Sequence, residues 1–250
     1  MEVIYKKPES LKEEITIYCP GCGHGIIHRL IAEVIDELNL REKTIGVAPV
    51  GCAVLAYNYF NFDVTESAHG RAPAVATAIK RLLPDRIVFT YQGDGDLAAI
   101  GIAEIIHAAA RGENITTIFV NNAVYGMTKG QMAPTTLPKM KTTTTIYGRD
   151  TNYHGYPLKI CELLSQIDGV SYIERTAIDS IGGIIKTKSA IKKAFQYQIE
   201  NKGFSLIEVL SPCPVNWKMK PVEAMKWISE VMSKYFVLGV YKDKDLKIKS

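Results

Sequence analysis

No apolar run in this 250-residue sequence reaches the ~18 residues needed to span a bilayer. Residues 1–14 are charged and lack the apolar stretch of a secretion signal. Membrane-spanning and secreted readings therefore fall away, and a cytoplasmic protein is expected. Neither sign of charge dominates. The net charge is +4, with basic and acidic residues interspersed, so no nucleic-acid patch stands out. The Lys-rich stretch 242–249 reads as a solvated end. Long polar tracts are missing too: 47% of residues are hydrophobic and 22% charged, which excludes disorder as the dominant state. There is no internal repeat and no linker, so residues 1–250 are expected to form one domain. Cysteines are few and odd in number, five in all. In a reducing compartment such thiols bind metal or do chemistry more often than they form disulfides.

What is present is an alternation of two periods. Short β-branched and apolar runs at 44–50, 86–91, 115–120 and 204–210 read as buried strands, with 171–177 a weaker candidate. Between them, 25–38, 72–83, 97–111, 189–200 and 222–234 carry helical patterns, with Pro221 suited to a first turn. The segment 25–38 places Ile27, Leu30, Ile31, Val34, Ile35 and Leu38 on one stripe. Strand–helix alternation predicts an α/β fold, a mostly parallel sheet flanked by helices. In such sheets ligands bind outside the carboxyl ends of the strands. Residues 127–156, rich in Thr, Gly, Pro and Lys and without a period, read as a long loop.

Three motifs, Gly51-Cys52, Gly93–Asp96 and Asn121-Asn122, follow directly after expected strands and should gather at one sheet edge. Gly93-Asp94-Gly95-Asp96 ends a strand and opens a helix, and Asn122, in the pair Asn121-Asn122, stands 28 positions beyond Asp94. This suits a diphosphate held through Mg²⁺. Glycines let the backbone approach phosphate, and a helix N-terminus favours negative charge. The metal takes hard oxygens, which Asp94 (carboxylate), Asn122 (amide) and Val124 (backbone carbonyl) can supply. Alone, Gly-Asp-Gly is also an ordinary turn; the Asn-Asn pair makes the pattern specific, because the two together resemble the thiamine-diphosphate signature.

The second constellation is made of cysteines. Cys19-Pro20-Gly21-Cys22 is a CxxC ahead of Gly23-His24-Gly25, Cys52 follows Gly51, and Cys213 lies between Pro212 and Pro214. Four thiolates at tight turns suit a structural Zn²⁺ or a [4Fe–4S] cluster, and a lone CxxC suits a redox dithiol. Residue types alone leave these alternatives open. Cys161, inside the amphipathic pattern 158–167, reads as a packed thiol.

The combined motifs resemble the β subunit of 2-oxoacid:ferredoxin oxidoreductases, of the 2-oxoglutarate and 2-oxoisovalerate type. The resemblance runs from Cys19 to Cys213 through Cys-Pro-Gly-Cys-Gly-His-Gly, Gly51-Cys52, His69-Gly70-Arg71-Ala72, Gly93-Asp94-Gly95-Asp96, the Asn-Asn-x-x-Tyr-Gly-Met-Thr-x-Gly-Gln run of 121–131, and Pro212-Cys213-Pro214. It implies a [4Fe–4S] cluster on Cys19, Cys22, Cys52 and Cys213, and Mg²⁺ on Asp94, Asn122 and the Val124 carbonyl. It implies thiamine diphosphate contacts from Val50, Gly51, Cys52, Ala53, His69, Gly95, Asp96, Gly126 and Met127. It makes the domain a thiamine-diphosphate-binding fold, with a cluster-binding CxxC segment at 15–25 and a terminal helix and tail at 221–250.

The implied activity is coenzyme A-dependent oxidative decarboxylation of a 2-oxoacid, 2-oxoglutarate or a branched-chain 2-oxoacid, with electrons passed to ferredoxin. His69, Thr128 and Lys129 are the candidate catalytic residues. His69 is expected at the diphosphate; Thr128 and Gln131 are expected in the substrate pocket; Lys129 reads as the partner of a substrate carboxylate. Arg71 supports the phosphates or caps its turn, and His24 helps fold the cysteine loop. Two things are missing. No second α/β unit supplies the glutamate that activates the aminopyrimidine ring, so an α (or α–γ) subunit is expected, in a heterodimer or a dimer of heterodimers. No CxxCxxCxxxCP run is present, so further clusters would sit on other chains. The competing readings are a non-redox thiamine-diphosphate decarboxylase or synthase subunit with structural zinc, and a non-catalytic metal-binding scaffold.

Overall fold

The β-branched runs form strands, and the central ones are buried on both faces, as strands in a helix-covered parallel sheet must be. The computed structural model describes residues 6–246, so the start of the charged segment 1–14 and the end of the Lys-rich stretch lie outside the described residues. The strands are β1 (Thr44–Pro49), β2 (Asp63–Ser67), β3 (Ile87–Gly93), β4 (Thr116–Asn121), β5 (Val124–Tyr125), β6 (Gln131–Met132), β7 (Val170–Ala177), β8 (Phe204–Leu210) and β9 (Gly239–Asp243). Among the described residues β5 and β6 pair as a small hairpin, and the other seven make one sheet in the order β2-β1-β3-β4-β8-β7-β9. Every pairing in that sheet is parallel except β7 with the edge strand β9.

The helices are α1 (His24–Glu37), α2 (Ala56–Tyr59), α3 (Ala72–Leu82), α4 (Ile102–Ala110), α5 (Thr151–His154), α6 (Ile160–Ser165), α7 (Ile181–Ile199), α8 (Pro214–Trp217), α9 (Pro221–Trp227) and α10 (Ser233–Tyr235). The stripe of α1 (Ile27, Leu30, Ile31, Val34, Ile35) and that of α7 (Ile191, Ala194, Phe195) pack on one sheet face, against Phe89, Tyr91, Ile118 and Ile207. On the other face, Ala76, Ile105, Ala109 and Leu164 of α3, α4 and α6 cover Val88, Phe119 and Leu206. Alternate residues of one strand serve opposite layers, as the pleat requires. A third cluster lies at the carboxyl edge, where Trp217, Ala224, Ile228 and Met232 cover Ala123, Val124 and Leu210. No helix among the described residues is long and apolar enough to cross a membrane.

Several boundaries differ from the sequence expectation for identifiable reasons. The helix expected over 97–111 opens instead with a π-helical turn, Asp94–Ile100, in which Gly101 N–H donates to the Asp96 carbonyl at 2.8 Å, five residues back; such widened turns recur at functional sites. The helix expected over 189–200 starts at Ile181, capped by the Ser180 side chain accepting from Gly183 N–H at 3.1 Å; the pair Gly182-Gly183 hides this start. The terminal helix expected over 222–234 is broken by a π-helical turn at Ile228–Met232. The stretch after it is not a free tail, because β9 joins the sheet and Asp243 takes an ion pair from Lys193 and a hydrogen bond from the Tyr197 hydroxyl. The irregular 127–156 region is organised around buried Arg149, whose guanidinium donates to the carbonyls of Pro134, Thr136 and Gly155 at 3.0, 2.6 and 3.0 Å.

Under the edge formed by β7 and β9 lies a buried ion network. The wholly buried Arg175 of β7 donates Nε to Glu208 Oε2 at 2.9 Å and reaches both Glu162 oxygens at 3.0 and 2.6 Å. Glu208 is also fully buried, and its second oxygen accepts from Asn121 Nδ2 at 2.7 Å. Removing one partner of such a pair strands the other charge in a low-dielectric interior. Arg175→Met is therefore expected to cost about 3–5 kcal/mol of stability, read as a lower midpoint in urea unfolding. Lys192→Ala, which removes only the half-exposed pair with Glu37, should cost less than about 1 kcal/mol in the same assay.

Candidate active site

Strands β3, β4, β7 and β8 end in step, with Gly93 beside Val120, Asn121 beside Leu210, and Ala177 beside Leu210. The motifs that follow them are therefore delivered to one edge. A cavity opens there, walled by Val50, Gly51, Cys52, Ala53, His69, Asp94, Gly95, Asp96, Asn122, Val124, Gly126, Met127 and Thr128. Every residue proposed from the sequence as a thiamine diphosphate or Mg²⁺ contact is on this wall. Lys129 is not: it sits beside Thr128 with an exposed side chain and a left-handed backbone, φ 77°. Gln131 lies outside the wall as well, accepting a hydrogen bond from the Thr128 hydroxyl at 2.6 Å. Arg71 pairs with Glu104 at the surface and does not enter the cavity wall.

Asp94 heads the π-helical turn and is buried. One oxygen accepts from Asn122 N–H at 2.9 Å and the other from the Thr135 hydroxyl. Burial nevertheless pushes its carboxyl up to about 7, against the pull of those donors. A carboxylate made costly by burial, next to an amide oxygen and a strand-end carbonyl, is the donor chemistry that a hard divalent cation complements. Asn122 Oδ1 faces Val124 N–H at 3.2 Å, and Ala123 between them adopts φ 60°. Asn121 shapes the turn from behind, accepting from Ala123 N–H at 3.1 Å.

Asp96 lines the cavity, yet its oxygens are engaged inward. Oδ1 meets His69 Nδ1 at 2.8 Å and Gly70 N–H at 2.6 Å, and Oδ2 accepts from Gln92 Nε2 at 2.6 Å. With Nδ1 held on Asp96, the other ring nitrogen of His69 is free to serve the cavity that this residue lines.

The thiols lie directly behind this wall. A Cβ placed on Gly126 would stand 3.3 Å from Cys52 Sγ and 3.9 Å from Cys213 Sγ. Gly126 thus brings the cavity wall close to two sulfurs, one of them on Cys52, itself a wall residue. The CxxC turn docks against the Cys213 loop: Gly21, at φ 78°, would place a Cβ 2.5 Å from Pro221, and Gly23 would place one 2.2 Å from Ser211 Oγ. Only glycine permits that approach. Burial pushes the Cys22 thiol up to about 12 and the Cys52 thiol up to about 11, and neighbouring cysteines reinforce both shifts. Among the described residues no three His, Cys, Asp or Glu side chains close on a single-ion point. The four thiols stand apart but within electrostatic reach. A bound cationic centre would relieve their mutual repulsion, since metal-bound cysteine is thiolate. Cys161 is elsewhere, fully buried, with its S–H donating to Glu208 at 3.0 Å.

Sequence reasoning missed several members of the site. The Tyr18 hydroxyl donates to the Cys52 carbonyl at 3.0 Å, and its ring stacks on His24 at 4.9 Å. His24, pushed down to about 4 by burial, shares a 2.6 Å hydrogen bond with the Tyr91 hydroxyl. Tyr125 packs under Gly95, 3.1 Å from where a Cβ would stand. Thr135 and Asn216 reach in from segments without a motif. Tyr91 reads as one more apolar strand residue, and nothing in the sequence marks Thr135; Asn216 lies close enough to Cys213 to have been weighed.

Comparison with known proteins agrees with this geometry. Residues 49–209 match the family described as thiamine pyrophosphate enzyme, C-terminal TPP binding domain. The ketoisovalerate oxidoreductase subunit VorA of Methanothermobacter thermautotrophicus is 47% identical across 96% of this chain and 53% of its own length. The 2-oxoglutarate synthase subunit KorB of Methanocaldococcus jannaschii is 38% identical across 86% of this chain and 77% of its own. The chain thus spans about half the length of the VorA relatives it matches. A solved 2-oxoglutarate:ferredoxin oxidoreductase from Magnetococcus marinus, with 2-oxoglutarate, coenzyme A and succinyl-CoA bound, superposes with a TM-score of 0.76 at 27% identity, covering 91% of this chain and 74% of that one. With a thiamine pyrophosphate-binding domain on a parallel sheet and relatives of this kind, the chain belongs to the 2-oxoacid:ferredoxin oxidoreductase subunits of the β type.

Proposed function

We propose that this chain binds thiamine diphosphate, Mg²⁺ and a [4Fe–4S] cluster within an enzyme that oxidatively decarboxylates a 2-oxoacid, forms an acyl-coenzyme A and passes the electrons to ferredoxin. The observation that carries the reading is the meeting at Gly126 of a cavity lined by Asp94 and Asn122 with the sulfurs of Cys52 and Cys213. When bound, thiamine diphosphate supplies an electron sink for loss of CO₂, and the cluster supplies one-electron acceptance.

The protein's own residues do the rest. Asp94, Asn122 and the Val124 carbonyl hold Mg²⁺. Cys19, Cys22, Cys52 and Cys213 hold iron. Gly95 lets the backbone approach the diphosphate, and His69, oriented by Asp96, faces it. Val50, Gly51, Ala53, Gly126 and Met127 pack against the cofactor and exclude water. Thr128 borders the substrate space, and Lys129 at the mouth attracts the substrate carboxylate. The carboxylates on the cavity wall are Asp94, given to Mg²⁺ in this reading, and Asp96, committed to inward partners. The glutamate that activates the aminopyrimidine comes from an α (or α–γ) subunit, in a heterodimer or dimer of heterodimers. The proposed use of ferredoxin and coenzyme A supports a cytoplasmic enzyme.

Among substrates, a branched-chain 2-oxoacid is the first choice and 2-oxoglutarate the second. The ketoisovalerate subunit shares more identity with this chain than the 2-oxoglutarate subunits do, and Val50, Ala53, Ile100 and Met127 make the wall largely apolar.

Three outcomes test the reading. The complex, purified anaerobically with its partner subunit, should be brown and hold roughly four irons on this chain; a colourless protein holding zinc instead would overturn the redox reading. Asp94→Ala should weaken Mg²⁺-dependent thiamine diphosphate binding by more than the roughly 10–100-fold that loss of an outer-shell partner costs, and EDTA should mimic the variant in the wild type; equal binding by titration calorimetry would remove the metal assignment. Lys129→Ala should raise KM unevenly across a panel of 2-oxoacids in anaerobic dye reduction, most for dicarboxylic ones. Equal effects on all of them would end the carboxylate-reading role.

A further inference from the structure

The turn that follows Cys213 makes four hydrogen bonds that no motif announces. Trp217 N–H donates to the Cys213 carbonyl at 2.9 Å, closing the single turn α8. The Trp217 indole donates to the Asn122 carbonyl at 3.0 Å, in the loop assigned to the metal. Between these, Asn216 Nδ2 donates to Cys213 Sγ at 3.2 Å and to the Gly126 carbonyl at 2.9 Å. A primary amide carries two N–H groups, so both bonds form at once and none is spare. The backbone N–H of Asn216 faces the same sulfur. Gly130, at φ 82°, packs on this side chain, where a Cβ would stand 3.0 Å from Asn216 Cβ. One amide therefore lies between the last cysteine of the set and the 126–130 segment, which carries Met127 and Thr128 on the cavity wall.

We propose that Asn216 is a positioning residue that raises the reduction potential of the iron–sulfur centre and ties that centre to the loop bordering the thiamine cavity. The proposal rests on the reading that Cys213 is a cluster ligand. N–H groups aimed at a ligating sulfur draw charge from it and favour the electron-rich, reduced state, which raises the potential. Asparagine suits the place better than its relatives. Aspartate would turn an acceptor and a negative charge toward the sulfur, and leucine would fill the space with no donor. Because the same amide holds the Gly126 carbonyl, the segment where the cavity meets the sulfurs is fixed by the group that tunes the sulfur.

The experiment uses the anaerobic holo-complex and reads potential and spectrum rather than turnover. Asn216→Leu, with iron content matching wild type, should shift the midpoint of an EPR-monitored redox titration to lower potential, and Asn216→Asp should shift it further. An unchanged midpoint in an iron-replete Asn216→Leu complex overturns the proposal and leaves the cluster itself standing. Should the variants fail to retain iron, the wild type alone decides: side-chain ¹⁵N-asparagine labelling should change the nitrogen hyperfine coupling of the reduced cluster in pulsed EPR, and an unchanged spectrum overturns the proposal. A wild-type complex without iron is a different failure, that of the proposed function on which this inference rests.

Discussion

The in-step ending of parallel strands is the constraint on which everything else depends. In a parallel ladder each strand delivers its carboxyl end to the same side. Here the register brings Gly93, Val120, Asn121 and Leu210 to that side together. Asp94, Asn122 and Ser211-Pro212-Cys213 then emerge as neighbours although they are separated widely in sequence. A one-residue slip in any of these pairings would turn each side chain of that strand to the opposite face and scatter the site. The site is precise because the sheet beneath it is buried on both faces and has no freedom to slip.

Close approach is the second step, and it follows from the first. The cavity and the cysteines share one edge, and ordinary side chains would fill the space where they meet. At Gly126 no side chain intervenes, and a Cβ there would stand 3.3 Å from Cys52 Sγ and 3.9 Å from Cys213 Sγ. Gly21 and Gly23 do the same where the CxxC turn meets the Cys213 loop and Pro221. The N-terminal CxxC and the C-terminal cysteine are therefore held together by contacts between segments at opposite ends of the chain, and the thiols are clustered although burial, reinforced by their mutual repulsion, raises Cys22 and Cys52.

Much of this was legible in the sequence. The sheet's central strands, the layers of helices and the edge position of Asp94, Asn122, Cys52 and Cys213 follow from two periodicities and from the placement of motifs after strands. Other parts were not, for physical reasons. The edge strands β2 and β9 are short or partly exposed and so carry a weak period. The π-helical turn at Asp94–Ile100 departs from the helical repeat where the site needs it. Thr135 and Tyr18 act through single hydrogen bonds from irregular segments and Asn216 through two from the short turn α8, and such bonds depend on tertiary placement rather than on any pattern of spacing. Lys129 lies next to a motif in sequence yet off the cavity wall, so proximity in sequence did not fix its placement.

The Asn-Asn pair shows how far the site's rigidity extends into the fold. Asn122 faces the cavity and Asn121 does not. Asn121 accepts from Ala123 N–H and donates to Glu208, so it holds the left-handed residue that bends the chain toward the cavity. Glu208 is charged and fully buried, which is tolerable only because Arg175 pairs with it; Arg175 in turn is anchored by Glu162 on α6 and by the Val237 carbonyl and Tyr241 hydroxyl near and on β9. A half-satisfied buried network is worse than an apolar one, so none of these groups can be lost singly without cost. The network therefore resists distortion of the loop at its head. The far edge strand, remote from the cavity, is thereby tied through this network to the asparagine pair that shapes the cavity's loop.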